Sequence, residues 1–293
     1  MPEEIESPLV LGQFIPLHYH HNMLLDPVRM AGFKEAIDAV VPPGGKVLEL
    51  GGGTGVLSFF AAQRAGKVWC VEHNPELARE ARRLLSLNRG GDRVEVIEAD
   101  ALDYLPPEPV DVVVCEMLHV ALVREKQIEV IASFKDRYRQ RFGPQVPLFV
   151  PESSILALQP VQQSFDFHGY YAPVPVFQQP GNLEERTREL ALPAVYRTID
   201  YAAELPASLA WEGTFAIAAD ATLNAFRFTT KNLLAILVRE QRTIDWFNQY
   251  LVLPLPTAVP VHSGDSVAVQ FCYQPGASLN ALADAIQFQV MGG

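Results

Sequence analysis

Basic residues are the scarce class in this chain: 23 Lys and Arg stand against 34 Asp and Glu, a formal net charge of −11 at pH 7. A phosphate backbone needs a basic surface, so the deficit argues against a nucleic-acid partner and suits a cationic one. Cysteine is rare too. Cys70, Cys115 and Cys272 lie in strand-like runs without metal-ligand spacing, and read as core thiols in a reducing, cytoplasmic setting. No run approaches the ~18 uncharged apolar residues of a membrane span, so no membrane partner is expected. The opening Met-Pro-Glu-Glu-Ile-Glu is acidic, unlike a signal or transit peptide. Repeats and low-complexity tracts are missing. His20 and His21 are neighbours that point apart with no third ligand nearby, so no metal site is expected.

What remains is ample core material: 293 residues, 49% hydrophobic, with a mean hydropathy of +0.09, a length that suggests about two domains. The informative stretch is Lys46 to Gly55. Val47, Leu48 and Leu50 make an apolar run that stops at glycines, and Val56, Leu57, Phe59 and Phe60 follow at helical spacing. This is the pattern of a buried strand, a turn without Cβ atoms and a helix whose N-terminus faces the turn, a corner where backbone approaches a ligand.

Strand and helix patterns then alternate to residue 150. Val68–Val71, Val94–Ile97 and Val110–Cys115 read as strands, and Pro75–Leu87 and Ile128–Phe142 as helices. Upstream, Leu24 to Val41 reads as one helix. The alternation predicts a doubly wound, Rossmann-like, mostly parallel sheet over 46–150, preceded by a helical segment over 1–45. Residues 151–293 are rich in β-branched and aromatic residues and in proline, with strands expected at Thr214–Ala218, Ala225–Phe228 and Val267–Phe271 and a turn at His262–Asp265. They predict an antiparallel β-barrel or sandwich domain, with Pro147–Pro151 as its boundary and 178–192 as an inserted loop or short helix.

In such sheets ligands bind beyond the carboxyl ends of the strands. Here those ends carry the glycine corner, Glu72, Asp100 and Glu116. Acids are costly to bury unpaired, so the pattern points to a ligand with hydroxyls, an amino group and positive charge. Glu72 also lies at the distance of a dinucleotide-binding acid, which leaves nicotinamide redox chemistry open. The corner itself, Glu49-x-Gly51-x-Gly53-Thr54-Gly55, is not G-x-G-x-x-G. Its spelling resembles that of S-adenosylmethionine-dependent methyltransferases.

A more specific resemblance starts at Glu116 and Glu125, which are similar to the double-E loop of the protein arginine methyltransferases. Tyr19 to Arg29, with His20, Met23, Leu24, Asp26 and Arg29, resembles that family's N-terminal helix. Val47–Ser58 resembles its glycine motif, and Thr243-Ile244-Asp245-Trp246 its Thr-His-Trp loop. Tyr250-Leu251, Pro254-Leu255 and Ser263-Gly264-Asp265 follow in the order of its barrel. The resemblance covers roughly residues 17–290 and marks the chain as a divergent member.

The resemblance implies a methyl transfer from S-adenosyl-L-methionine to a guanidinium nitrogen of arginine in a protein or peptide. Alternatives are a small guanidine such as free arginine, or an impaired member acting as a binding module. It assigns catalytic roles to Glu116, Glu125, Asp245 and Trp246. It assigns cofactor contacts to His20, Met23, Arg29, Glu49, Gly51, Gly53, Thr54, Glu72, Asp100 and Ala101: Arg29 for the methionine carboxylate, Glu72 for the ribose hydroxyls, Asp100 and Ala101 for the adenine. A homodimer through a short arm near 165–195 is implied as well. Departures fall in the acceptor half. Met117, Leu118, His119 and Val120 stand where the family has Trp, Met, Gly and Tyr, and Asp245 stands where it has His.

Overall fold

The computed structural model describes residues 17–180 and 186–293. Residues 1–16 of the expected N-terminal segment, and 181–185 at the centre of the expected arm, lie outside the described residues.

The first two helices are α1 (Leu17–Leu24) and α2 (Pro27–Val40); the helix read over Leu24–Val41 starts at Pro27 instead. The chain breaks at Leu25-Asp26. The Asp26 carboxylate accepts the Arg29 N–H at 3.0 Å, and Pro27 sits in the first turn. An Asp cap satisfies an otherwise orphaned donor, and Pro at this position has no N–H to leave unpaired. The cap thereby fixes where Arg29 emerges.

Strands β1 (Lys46–Leu50), β2 (Lys67–Glu72), β3 (Val94–Glu98), β4 (Val112–Cys115) and β5 (Leu148–Val150) form one parallel sheet in the order β3-β2-β1-β4-β5. Helices α3 (Val56–Ala62), α4 (Pro75–Ser86) and α5 (Gln127–Phe142) connect them. Val47, Leu48, Leu50, Val68 and Val113 are fully buried, as continuous apolar runs must be in a sheet covered on both faces. The fifth strand lies inside the stretch read as a boundary. It is three residues long and bracketed by Pro147 and Pro151, so breaker residues hid it.

The rest of the chain is antiparallel β. Its strands are β6 (Ser153–Gln163), β7 (Asp166–Phe167), β8 (Tyr170–Tyr171), β9 (Val176–Gln178), β10 (Thr187–Glu189), β11 (Ala194–Asp200), β12 (Leu209–Ala216), β13 (Ala221–Leu237), β14 (Arg242–Phe247), β15 (Tyr250–Val261), β16 (Ser266–Tyr273) and β17 (Gln287–Met291), with α6 (Leu279–Ala285) before the last. The larger sheet runs β10-β6-β13-β15-β9, with β11 also on β6 and β14 also on β13; β12-β16-β17 form a second sheet. Register breaks at Leu223/Ala225 and Leu233/Ala235 bend the 17-residue β13. Bulges of this kind curl a sheet toward closure.

Two expectations are corrected here. Thr187–Glu189, inside the stretch read as a loop or short helix, is a strand on the edge of β6. Thr243–Trp246 is not a loop but part of β14. One connected apolar core joins the halves, from Val47 and Phe33 to Phe226 and Leu234, so the parallel sheet and the curled sheet are packed directly together. No described helix is long and apolar enough to cross a membrane.

Candidate active site

In the order β3-β2-β1-β4-β5 the chain runs outward in opposite directions from β1 and β4, which makes their carboxyl ends the switch point where open α/β sheets leave a crevice. A cavity lies there. It is lined by the glycine turn after β1, by Glu72 and His73 after β2, by Asp100, Ala101 and Leu102 after β3, and by Glu116 and Met117 after β4. Residues His20, Met23, Leu24 and Arg29 of the two N-terminal helices cover it.

The turn after β1 is held open from within. Gly51 and Gly53 have φ of +78° and +52°. A Cβ on Gly53 would lie 2.9 Å from His20 Nδ1, and one on Gly51 2.6 Å from Met117 Cε. Side chains there would fill the cradle and strain the backbone. Both Glu72 oxygens accept backbone N–H groups, from Gly53 at 2.8 Å and Asn74 at 2.7 Å. A carboxylate has further acceptor capacity, so Glu72 braces the turn and can still accept hydroxyls. Asp100 accepts the Leu102 N–H at 2.9 Å, and Ala101 is buried. Glu49 lines the floor, but its Oε2 accepts the Ser58 N–H at 2.9 Å and also meets the Ser58 hydroxyl. Burial pushes Glu49 up to about 8. It thus caps α3, and Thr54 is buried alongside. His20 is pushed down to about 4 by burial and then by Arg29, so it is a neutral imidazole, and its Nε2 is buried with no partner.

The acidic end is organised by Arg29. Its guanidinium pairs with Glu116 Oε2 and stacks 4.9 Å from the Trp246 ring centroid. The Glu116 side chain is only 6% exposed, and its other oxygen is buried without a hydrogen-bond partner. Burial raises the Glu116 pKa against the pull of Arg29. Burial and then the charge of Glu116 raise Glu125 to about 8. Tyr19 of α1 is 47% exposed and does not line the cavity; partial burial and then the charge of Glu125 raise its phenol.

Trp246 and Asp245 do not line the cavity. They alternate across β14, with Trp246 inward and Asp245 on the opposite face. Asp245 pairs with Lys231 at 2.6 Å and accepts from the Thr243 hydroxyl at 2.7 Å. The catalytic expectation for Asp245 is therefore corrected: its carboxylate is turned away and engaged elsewhere. Trp246 packs its ring against Arg29 instead of facing the cavity.

Between the two glutamates the backbone is left-handed at Ala121, Leu122 and Arg124, with φ of 58°, 53° and 66°. Each such L residue costs about 1–2 kcal/mol. Gln127, fully buried at the start of α5, ties the base of the loop: it accepts the Met117 N–H at 2.9 Å and donates to the Cys115 carbonyl at 2.8 Å.

Comparison with known proteins fits this geometry. A family model described as a methyltransferase domain matches residues 47–141. An uncharacterised protein of Methanothermobacter thermautotrophicus is 30% identical over 270 residues, covering 92% of this chain and 97% of that protein. Protein arginine N-methyltransferase PRMT10 of Oryza sativa subsp. japonica is 35% identical over 134 residues, 45% of this chain but 35% of that enzyme. The chain thus matches about a third of the length of the plant relative. Crystallised protein arginine methyltransferase 10 of Arabidopsis thaliana shares the fold with a TM-score of 0.74 at 19% identity, over 88% of each chain. Trypanosoma brucei PRMT1, solved with AdoHcy, gives a TM-score of 0.73 at 15% identity, over 94% of this chain and 98% of that one.

The chain is a divergent class I methyltransferase related to the protein arginine methyltransferases. The Trypanosoma brucei neighbour was solved with AdoHcy, and here the cradle at Gly51 and Gly53, the acceptor capacity of Glu72 and the unpartnered His20 Nε2 are compatible with a group of that kind. In this methyltransferase, sequence reasoning missed the cavity residues His73 and Leu102, the tie made by Gln127 and the loop conformation. Only the buried Gln at a helix start left a trace in the sequence, as a polar residue leading an apolar run.

Proposed function

We propose that this methyltransferase uses S-adenosyl-L-methionine to methylate a guanidinium nitrogen of arginine in a protein or peptide. The observation that carries the reading is the Glu116 oxygen, buried without a partner, within the field of a second carboxyl on the same cavity wall, half-buried Glu125. An unpaired buried acceptor is costly, and a flat cation with several N–H donors would satisfy both acids at once.

When bound, S-adenosylmethionine supplies a methyl group on a positively charged sulfur. The residues of the chain do the rest. Glu72 would hold the ribose, and Arg29 would meet the methionine carboxylate while keeping Glu116 aimed. A guanidinium is a weak nucleophile with its charge evenly spread. Glu116 and Glu125 would draw that charge to the held nitrogens and orient the remaining one toward the methyl. Such positioning is the main catalytic contribution. The proton released has an acceptor in a carboxyl whose pKa already lies near neutrality. A small guanidine such as free arginine is the second reading, favoured by Met117–Val120 replacing the family's residues beside Glu116. Exposed Tyr170 and Tyr171 at 73% and 66%, with Leu25 at 78% and Val28 at 67%, support a second copy of the chain as partner, which sedimentation velocity reads directly.

The test is transfer from labelled S-adenosylmethionine to arginine-rich peptides and to free arginine. Turnover is expected with the peptides. Glu116→Gln and Glu125→Gln should each abolish it while S-adenosylhomocysteine binding stays within about twofold, since charge at the acceptor is lost but the donor contacts remain. Wild-type turnover in both variants would end the guanidinium reading.

A further inference from the structure

The second domain carries a buried polar network that none of the steps above uses, and it ends on the Glu116–Glu125 loop. Asn248 Nδ2 donates to the Leu118 carbonyl at 2.9 Å, and Asn248 Oδ1 accepts from Asn232 Nδ2 at 2.8 Å. Asn232 Oδ1 accepts from Ser154 Oγ at 2.7 Å, which lies 2.9 Å from the Tyr201 hydroxyl. A second branch holds Ala121 from both sides. Thr230 Oγ1 accepts its N–H at 2.8 Å, and the Tyr273 hydroxyl, itself 2.8 Å from that of Tyr196, donates to its carbonyl at 2.8 Å. Main-chain bonds complete the grip: Arg124 N–H to the Ala277 carbonyl and Gly276 N–H to the Leu122 carbonyl, each 2.8 Å.

Thr230, Asn232 and Ser154 are fully buried, and Asn248 and Tyr273 are nearly so. The segment they grip is the one with left-handed Ala121, Leu122 and Arg124. L residues stay in that region only where their surroundings over-determine them, and a fully satisfied buried network is rigid enough to do so. The two glutamates flank this segment, and β4 fixes only the first. Gln127 ties the base of the loop from the start of α5, and the strained turn above that tie, held by the second domain, completes the aim of the second relative to the first.

We propose that Thr230, Asn248 and Tyr273 are positioning residues that clamp the loop in its left-handed form and thereby set the separation and aim of Glu116 and Glu125. The clamp stands on geometry alone; its catalytic consequence rests on the acceptor reading above.

Thr230→Val removes one hydroxyl at constant shape, and Thr230→Ser retains it. Amide hydrogen exchange at Ala121 is expected to accelerate at least about tenfold in Thr230→Val and to stay at the wild-type rate in Thr230→Ser, because the exchanging amide loses or keeps its acceptor. In the same pair kcat with a guanidine acceptor should fall on the order of 100-fold for Val and recover for Ser, with S-adenosylhomocysteine affinity unchanged. A merely structural loss would lower the melting temperature and the active fraction but leave kcat per folded site alone. Wild-type exchange in Thr230→Val overturns the clamp. Accelerated exchange with unchanged kcat overturns its positioning role. Wild-type protein that turns over no guanidine overturns the acceptor reading, while the exchange rates still decide the clamp.

Discussion

Replacing Arg29 with Met removes the guanidinium that pairs with Glu116. Arg29 is 9% exposed and stacked on Trp246. Met retains most of the volume and the apolar contact, so the change is chiefly electrostatic. Glu116, its side chain 6% exposed, is left facing Glu125 without its cation. Breaking a buried pair in this way costs about 3–5 kcal/mol. The folded variant escapes by keeping a proton on Glu116. Relative to an ordinary carboxyl at 4.5, that costs at most roughly 5 kcal/mol at pH 8 but under about 1 kcal/mol at pH 5. The Glu116 pKa is raised in the folded variant, so folded protein binds more protons than unfolded protein between the two values. Stability is then fully present below the ordinary carboxylate range and falls as pH rises. At about 2 °C per kcal/mol for a chain of this size, thermal melts should show a Tm deficit of roughly 6–10 °C at pH 8 and about 2 °C or less at pH 5. Arg29→Met combined with Glu116→Gln should recover most of the loss. A deficit equal at pH 5 and pH 8 would refute the reasoning, because the loss would then be one of packing.

Three further outcomes are expected. Lys135, 2% exposed, donates to the Tyr201 carbonyl at 2.8 Å and to that of Ala203, so Lys135→Met should lower stability by roughly 2–3 kcal/mol in urea denaturation, through carbonyls left without a donor. Because burial and Glu116 raise Glu125 to about 8, and a cationic acceptor needs the carboxylate, kcat/KM should climb from pH 6 toward pH 8; a flat profile counts against that assignment. Glu49, held up to about 8 by burial, carries its proton at pH 7, so Glu49→Gln should shift the melting temperature by less than about 2 °C, whereas Glu49→Ala loses the bonds to Ser58 and about 1 kcal/mol or more.

What the sequence made legible was whatever local pattern dictates. Val47, Leu48 and Leu50 ending at Gly51 could be read as a buried strand and a ligand turn, since both the apolar run and the loss of Cβ are local. The parallel sheet followed from alternating runs, and the acids at its strand ends from their positions. Tertiary choices were not visible. Asp26 and Pro27 delay the start of the helix read from Leu24, because a cap and a proline outweigh apolar spacing that continues across them. Leu148–Val150 pairs with β4 despite flanking prolines because an edge strand gives up few ladder bonds. Asp245 turned outward because Thr243–Trp246 is a strand of period two, a fact fixed by its pairing with β13 and not by its own residues. The loop between Glu116 and Glu125 held least information of its own. No glycine marks Ala121, Leu122 or Arg124, since their conformation is imposed from Thr230, Asn248 and Tyr273, over a hundred positions later in the chain.

The most direct measurement is a crystal structure with S-adenosylhomocysteine and an arginine peptide bound together. The guanidinium is expected to bridge Glu116 and Glu125, with one terminal nitrogen facing the sulfur and the free Glu116 oxygen now accepting a hydrogen bond. A structure in which both carboxylates turn from the sulfur-side cavity, or in which no path admits a guanidino group to it, would contradict the claim.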